Sequence, residues 1–192
     1  MDVGCGSGEF LETMKEHFQV QGLEINEEAA KFSRANGFKV HSSPFISLPI
    51  QNQYDVISFV DVLEHLPQPK EHLLKAHQLL KEEGMIFIKV PNYPMQLKKQ
   101  LYFQKRNKTS LGIMYDFAHI NHFTPESLSK VLLQAGFEVV DLSFSQPIID
   151  LPKKGLKRYL SYRIGTSLAN TISKISGKNL SFNFSVLAKK RN

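Results

Sequence analysis

The sequence predicts an α/β fold, a mostly parallel sheet with helices on both faces. Three observations predict it. Asp2-Val3-Gly4-Cys5-Gly6-Ser7-Gly8 is a Gly-x-Gly-x-Gly turn with an acid ahead of it. Glycines there let backbone approach a ligand where any Cβ would clash, and Glu9 to Lys15 then suit a helix whose N–H groups face that ligand. Strand-like and helix-like segments alternate through the first 144 residues, as a parallel sheet with crossover helices requires. The whole chain of 192 residues, 42% hydrophobic and 22% charged, is long enough for one domain with a full core.

Each element has its own warrant. Met1 to Val3 is the short stretch ahead of the glycine turn, and the helix after it runs over Glu9 to Lys15. Val20 to Ile25 is a short apolar-rich strand. Asn26 is a good N-cap, Glu27 and Glu28 sit in the first turn, and Gly37 follows the end, so a helix spans the interval. Phe38 to His41 and Tyr54 to Val60 are the next strands. A helix from about Pro69 to Glu83 stops at Gly84, with Leu73, Leu74, His77 and Leu80 on one face. Met85 to Val90 is a strand stopped by Pro91. Thr124-Pro125 starts a helix whose stripe is Leu128, Val131, Leu132 and Ala135, and Gly136 ends it. Phe137 to Phe144 and Phe182 to Ala188 are the last strands. Two segments interrupt the alternation, at about 92–123 and about 145–180. Interruptions of this length are usually functional or carry helices of their own.

Charge is uneven. The net is +6, yet residues 151–192 hold ten Lys or Arg and no acid, which leaves the first 150 residues at −4. A basic segment seeks an anionic surface or presents a solvated face. The single cysteine, Cys5, excludes an intrachain disulfide and makes a cytoplasmic setting the default. No apolar run reaches the roughly 18 residues of a membrane span.

Glu24 ends the second strand, 16 residues after Gly8. An acid there can accept from both hydroxyls of a ribose, although an acid ahead of a helix also gains from the helix dipole. With the glycine turn beside it, the ribose role is the stronger reading.

Tyr54-Asp55-Val56-Ile57 leads into Asp61-Val62-Leu63-Glu64-His65-Leu66-Pro67, with Glu83-Gly84-Met85 and His119-Ile120-Asn121-His122-Phe123-Thr124-Pro125-Glu126-Ser127-Leu128 further on. With these motifs in this order, residues 1–144 and 182–189 resemble the class I S-adenosylmethionine-dependent methyltransferases, most nearly the ubiquinone-biosynthesis-type O-methyltransferase group. The resemblance implies a single Rossmann-like domain over 1–192, with a lid insertion, a basic helical insertion and a final antiparallel strand. It implies S-adenosylmethionine as cofactor. The methionine part would lie on Asp2, Gly4, Cys5, Gly6 and Gly8, the ribose on Glu24, and the rest against Ile25, Asp61 and Val62. Two departures stand out. The acid that usually meets the adenine amino group after the third strand is replaced by Ser42-Ser43-Pro44-Phe45, so Ser43 or backbone would bond the adenine and Phe45 would pack on it. Relatives also carry more of the first strand, and helices, ahead of the glycine turn, so the expectation is a sheet with that strand cut short and those helices missing.

The reaction implied is an in-line displacement at a sulfonium methyl, in which the protein aligns an acceptor and manages its proton. An oxygen acceptor gains from a general base, and His65, His119 and His122 lie in the right segments. Some relatives hold a divalent ion with a Glu-x-x-Glu-His run and a distant histidine. Here Asp61, Glu64, His65 and His119 would correspond, but Asp61 has a shorter reach, so a divalent metal is not favoured and no residue is assigned as ligand. His17, His41, His72 and His77 are given no chemistry, and Cys5 serves as a small turn residue. Tyr93, Met95, Leu97, Tyr102, Met114 and Phe117 supply an apolar acceptor pocket. The acceptor is then a small apolar, lipid- or sugar-linked molecule. Lys153 to Lys178 would form a basic amphipathic helix, packed as a lid or in peripheral contact with an anionic membrane. An RNA 2′-O-methyltransferase is the rival enzyme, although nucleic acid is the less favoured partner because the dispersed basic and aromatic surface of an RNA binder is lacking. A non-catalytic interaction module is the other alternative.

Overall fold

The computed structural model describes residues 1–51, 53–105, 119–144 and 181–191. Seven strands form one sheet in the order β3-β2-β1-β4-β5-β7-β6. They are β1 (Asp2–Val3), β2 (Gly22–Leu23), β3 (Val40–His41), β4 (Tyr54–Val60), β5 (Leu80–Pro91), β6 (Phe137–Ser143) and β7 (Asn183–Lys190). The pairings β1–β2, β1–β4, β2–β3 and β4–β5 are parallel, and β7 runs antiparallel to both β5 and β6. The expected Rossmann-like architecture with an antiparallel last strand is therefore present. The strand order reverses at β1, where α/β sheets place their ligands.

The helices are α1 (Glu9–Met14), α2 (Glu27–Ala35), α3 (Pro69–Leu79), α4 (Tyr93–Gln104) and α5 (Pro125–Gln134). Asn26 caps α2 by accepting from the Glu28 and Ala29 N–H groups, and Thr124 caps α5 from Ser127 N–H. Gly37 and Gly136, each at φ 87, take the left-handed positions after these helices. Ile57 and Phe59 of β4, Ile86 and Ile88 of β5 and Val186 of β7 share one cluster with Leu73 and Leu79 of α3 and Leu128 of α5. Burying each such side chain contributes about 1.5–3 kcal/mol. A second cluster of Cys5, Leu11, Ala30 and Val40 ties the glycine turn to α1, α2 and β3.

Three expectations change. The third helix ends at Leu79 rather than Glu83, and β5 begins at Leu80. Gly84 lies inside that strand, where a Cβ would stand 2.9 Å from Leu80 Cβ and Lys81 O. It is there for close approach, not as a helix stop. The buried face of α3 is Leu73, Ala76 and Leu79, while Leu74 is exposed. The strands β2 and β3 are two residues each, and short 3-10 turns occur at Phe45–Ser47 and Leu63–His65. The first interrupting segment contributes α4, and its residues 106–118 lie outside the described set. So does the basic segment 145–180, with the helix expected there.

Candidate functional site

The glycine turn hangs between β1 and α1. Gly4, Gly6 and Gly8 have φ of 70, 52 and 91, a region in which a Cβ is strained. Gly4 and Cys5 both donate their N–H to Leu23 O, at 2.7 and 3.1 Å, which fixes the turn to β2. Gly4 is also pressed from above. A Cβ there would lie 2.6 Å from Val62 Cγ2, so Val62, two residues beyond β4, roofs the turn. Phe10 of α1 stacks on Phe87 of β5 with centroids 6.0 Å apart, which sets the helix against the sheet.

Glu24 stands where the sequence places it. Its Oε2 accepts from Gly6 N–H at 2.8 Å and its Oε1 from Asn26 N–H at 2.8 Å. A carboxylate has about four acceptor sites, so two remain after these bonds. Ile25, beside it, is 74% exposed. Asp2 sits beneath the turn, buried, and accepts from Ser58 Oγ at 2.7 Å. Burial pushes its carboxyl up to about 6, against the pull of the Ser58 bond and the N-terminal ammonium. Cys5 turns its side chain into the second cluster, and burial pushes its thiol up to about 11. That suits a small turn residue rather than a nucleophile.

After β3, Ser43 is half-buried, and Ser42 Oγ accepts from Arg34 at 2.5 Å. Phe45 corrects an expectation. It is buried, edge-on to Phe59 at 5.4 Å and stacked on His72 at 6.2 Å, so its ring belongs to the core and is not presented to an adenine.

The second half of the site is the loop after β4. Glu64 is 1% exposed, and no other described residue donates to either of its carboxylate oxygens. Burial pushes its carboxyl up to about 7, with Asp61 adding to the rise. Glu64, His65 and His119 offer ligand atoms that all lie within 4.8 Å of one another, and the two imidazoles are 4.7 Å apart. Asn121 makes this meeting. Its N–H donates to Glu64 O at 2.9 Å and its Nδ2 to Leu66 O at 2.6 Å, joining the 119–123 segment to the loop. Asp61 is elsewhere, bonded to Lys89 Nζ at 2.6 Å. His122 is exposed and edge-on to Tyr93 at 4.7 Å. The structure thus brings together His65 and His119 and leaves His122 outside their cluster.

Sequence reasoning missed three residues. Lys89 interrupts the apolar run Met85 to Val90, and Asn121 lies between two candidate histidines, so both left a signal. Ser58 left none, since its partner Asp2 comes from 56 residues away.

A sheet of this order, with a glycine turn and a ribose-type acid at the switch point, defines a class I S-adenosylmethionine-dependent methyltransferase domain. The chain belongs to the methyltransferase domain family, whose model matches residues 1–142. It is 30% identical over 180 residues to a ubiquinone biosynthesis O-methyltransferase of Vibrio campbellii, covering 87% of this chain and 76% of that protein. It is 26% identical to one from Azoarcus sp., covering 74% of this chain, and spans 65% of the length of that relative. A solved S-adenosylmethionine-dependent methyltransferase from Archaeoglobus fulgidus superposes with a TM-score of 0.65 at 28% identity, covering 98% of this chain and 84% of that one. Among the described residues no helix is long and apolar enough to cross a membrane.

Proposed function

We propose that this protein transfers the methyl group of S-adenosylmethionine to a hydroxyl of a small apolar, lipid- or sugar-linked acceptor. The observation that carries the reading is the cluster of Glu64, His65 and His119, joined to the cofactor turn through the contact of Val62 with Gly4. When bound, the cofactor supplies an electrophilic methyl on sulfur, and the chain's own groups must deal with the acceptor. Glu24 holds the ribose end and the glycine turn admits the methionine end. His119 or His65 takes the hydroxyl proton as the oxygen attacks, and imidazole is suited to that near neutral pH. The O-methyltransferase names of the relatives support an oxygen acceptor.

A second reading concerns the same cluster. A divalent ion fits the donor set, since a buried carboxylate to which no other described residue donates and two imidazoles are ordinary ligands. Glu64, His65 and His119 would hold the ion, and Asp61 would not, because Lys89 occupies it. The ion would lower the pKa of the acceptor hydroxyl.

The test is transfer of a labelled methyl from S-adenosylmethionine to hydroxyaromatic acceptors with apolar tails, beside a short RNA ending in a 2′-hydroxyl. Label in the organic extract supports the proposal. Label in the RNA alone would favour the RNA 2′-O-methyltransferase, and cofactor binding without transfer to either would favour the interaction module.

A further inference from the structure

Asp61 has φ 55, the one positive value outside glycine among the described residues. Aspartate enters this region more readily than most L residues, yet it still costs more there than glycine and is held by its surroundings. Here one residue holds it at two points. Asp61 N–H donates to Lys89 O at 2.9 Å, and Lys89 Nζ donates to Asp61 Oδ2 at 2.6 Å. Lys89 lies on β5 opposite Val60, the last residue of β4. Its side chain is 16% exposed and that of Asp61 is 45% exposed. The stem of Lys89 is therefore largely buried, which restricts the reach of its ammonium to the Asp61 side. Among the described residues Asp61 is its hydrogen-bond partner.

The direction of the chain leaving β4 is set at Asp61. The next residue, Val62, roofs Gly4 so closely that a Cβ there would stand 2.6 Å away. Two residues further on, Glu64 is turned inward and buried. A relaxed Asp61 would swing both. The pair thus differs from a surface ion pair in having something to lose besides itself.

We propose that Lys89 is a positioning residue for methyl transfer. It clamps Asp61 in its left-handed turn, and so fixes the height of Val62 over the glycine turn and the aim of Glu64. The proposal rests on the reading of this site as a cofactor site, although the clamp itself can be read without any ligand.

The experiment uses the full chain and three substitutions, Lys89→Met, Lys89→Arg and Asp61→Gly. Two quantities are read, affinity for S-adenosylhomocysteine by calorimetry and amide exchange over residues 61–65. Lys89→Met is expected to weaken binding about tenfold and to speed exchange over 61–65, with α5 exchange unchanged. Lys89→Arg keeps the charge and the donor, and should bind within about twofold of the parent. Glycine accepts a positive φ without strain, so in an Asp61→Gly background Lys89→Met should cost no further affinity. The clamp is overturned if Lys89→Met leaves exchange over 61–65 as it was, or if its full loss of affinity persists with Asp61→Gly. A parent chain that fails to bind S-adenosylhomocysteine sinks the cofactor reading instead, and the exchange measurement still decides the clamp.

Discussion

Gly6 donates its backbone N–H to Glu24 Oε2 at 2.8 Å. The acid expected to grip the ribose thus also holds the middle of the glycine turn. Removing it should cost twice, once in cofactor contacts and once in the shape of the turn. A hydrogen bond to a charged group is worth about 1.5–3 kcal/mol, so Glu24→Ala should weaken S-adenosylhomocysteine at least tenfold by calorimetry. Glu24→Gln keeps an acceptor for Gly6 and should lose less. Equal losses in the two variants would mean that the turn does not depend on Glu24.

The three glycines of the turn should not be equally demanding. At Gly4 an added Cβ meets Val62 Cγ2 at 2.6 Å, whereas at Gly6 nothing lies within 4 Å. Both have positive φ. Gly6→Ala therefore bears backbone strain of about 1 kcal/mol, and Gly4→Ala bears that and a clash, about 2–3 kcal/mol together. Denaturant unfolding should rank Gly4→Ala as the less stable. Val62→Ala should restore part of the loss at Gly4 and nothing at Gly6.

Asp2 gives a dependence on pH. Its carboxyl is raised by burial from 3.8 to about 6, so the folded chain holds that proton more tightly than the unfolded one. Stability from this group is greatest below about pH 4, falls as pH rises to about 6, and stays lower above that. The penalty at pH 7 is about 2–3 kcal/mol. Asp2→Asn keeps an acceptor for Ser58 and escapes the penalty. Its advantage in urea unfolding should be near zero at pH 4 and about 2 kcal/mol at pH 7.5. The same difference at both values would contradict the assignment.

Glu64, His65 and His119 make a prediction about ions. If a divalent ion is held there, dialysis against a chelator lowers methyl transfer, added magnesium or manganese restores it, and Glu64→Gln abolishes the response. A rate indifferent to chelation leaves the histidines as the base. His122→Ala should in either case cost less than His119→Ala, because His122 packs on Tyr93 outside the cluster.

Much of this site could be read from sequence because its signals are local. The glycine turn, Glu24 at the end of β2, the Asn26 and Thr124 caps and the turn glycines Gly37 and Gly136 need only neighbours within a few residues. What escaped depends on distant strands. Ser58 under Asp2 is a parallel pairing of β1 with β4, and Lys89 at Asp61 is one of β4 with β5. The inward turn of Phe45 is decided by Phe59 and His72. The exchange of Leu74 for Ala76 on the face of α3 shows a related limit. Helical spacing finds a stripe, but which side of it faces the sheet is settled by packing.

Calorimetry of the unmodified chain with S-adenosylhomocysteine tests the central claim most directly. One site per chain, lost or at least tenfold weaker in Glu24→Ala, is the predicted result. No binding by the folded chain, or binding indifferent to Glu24, would contradict it.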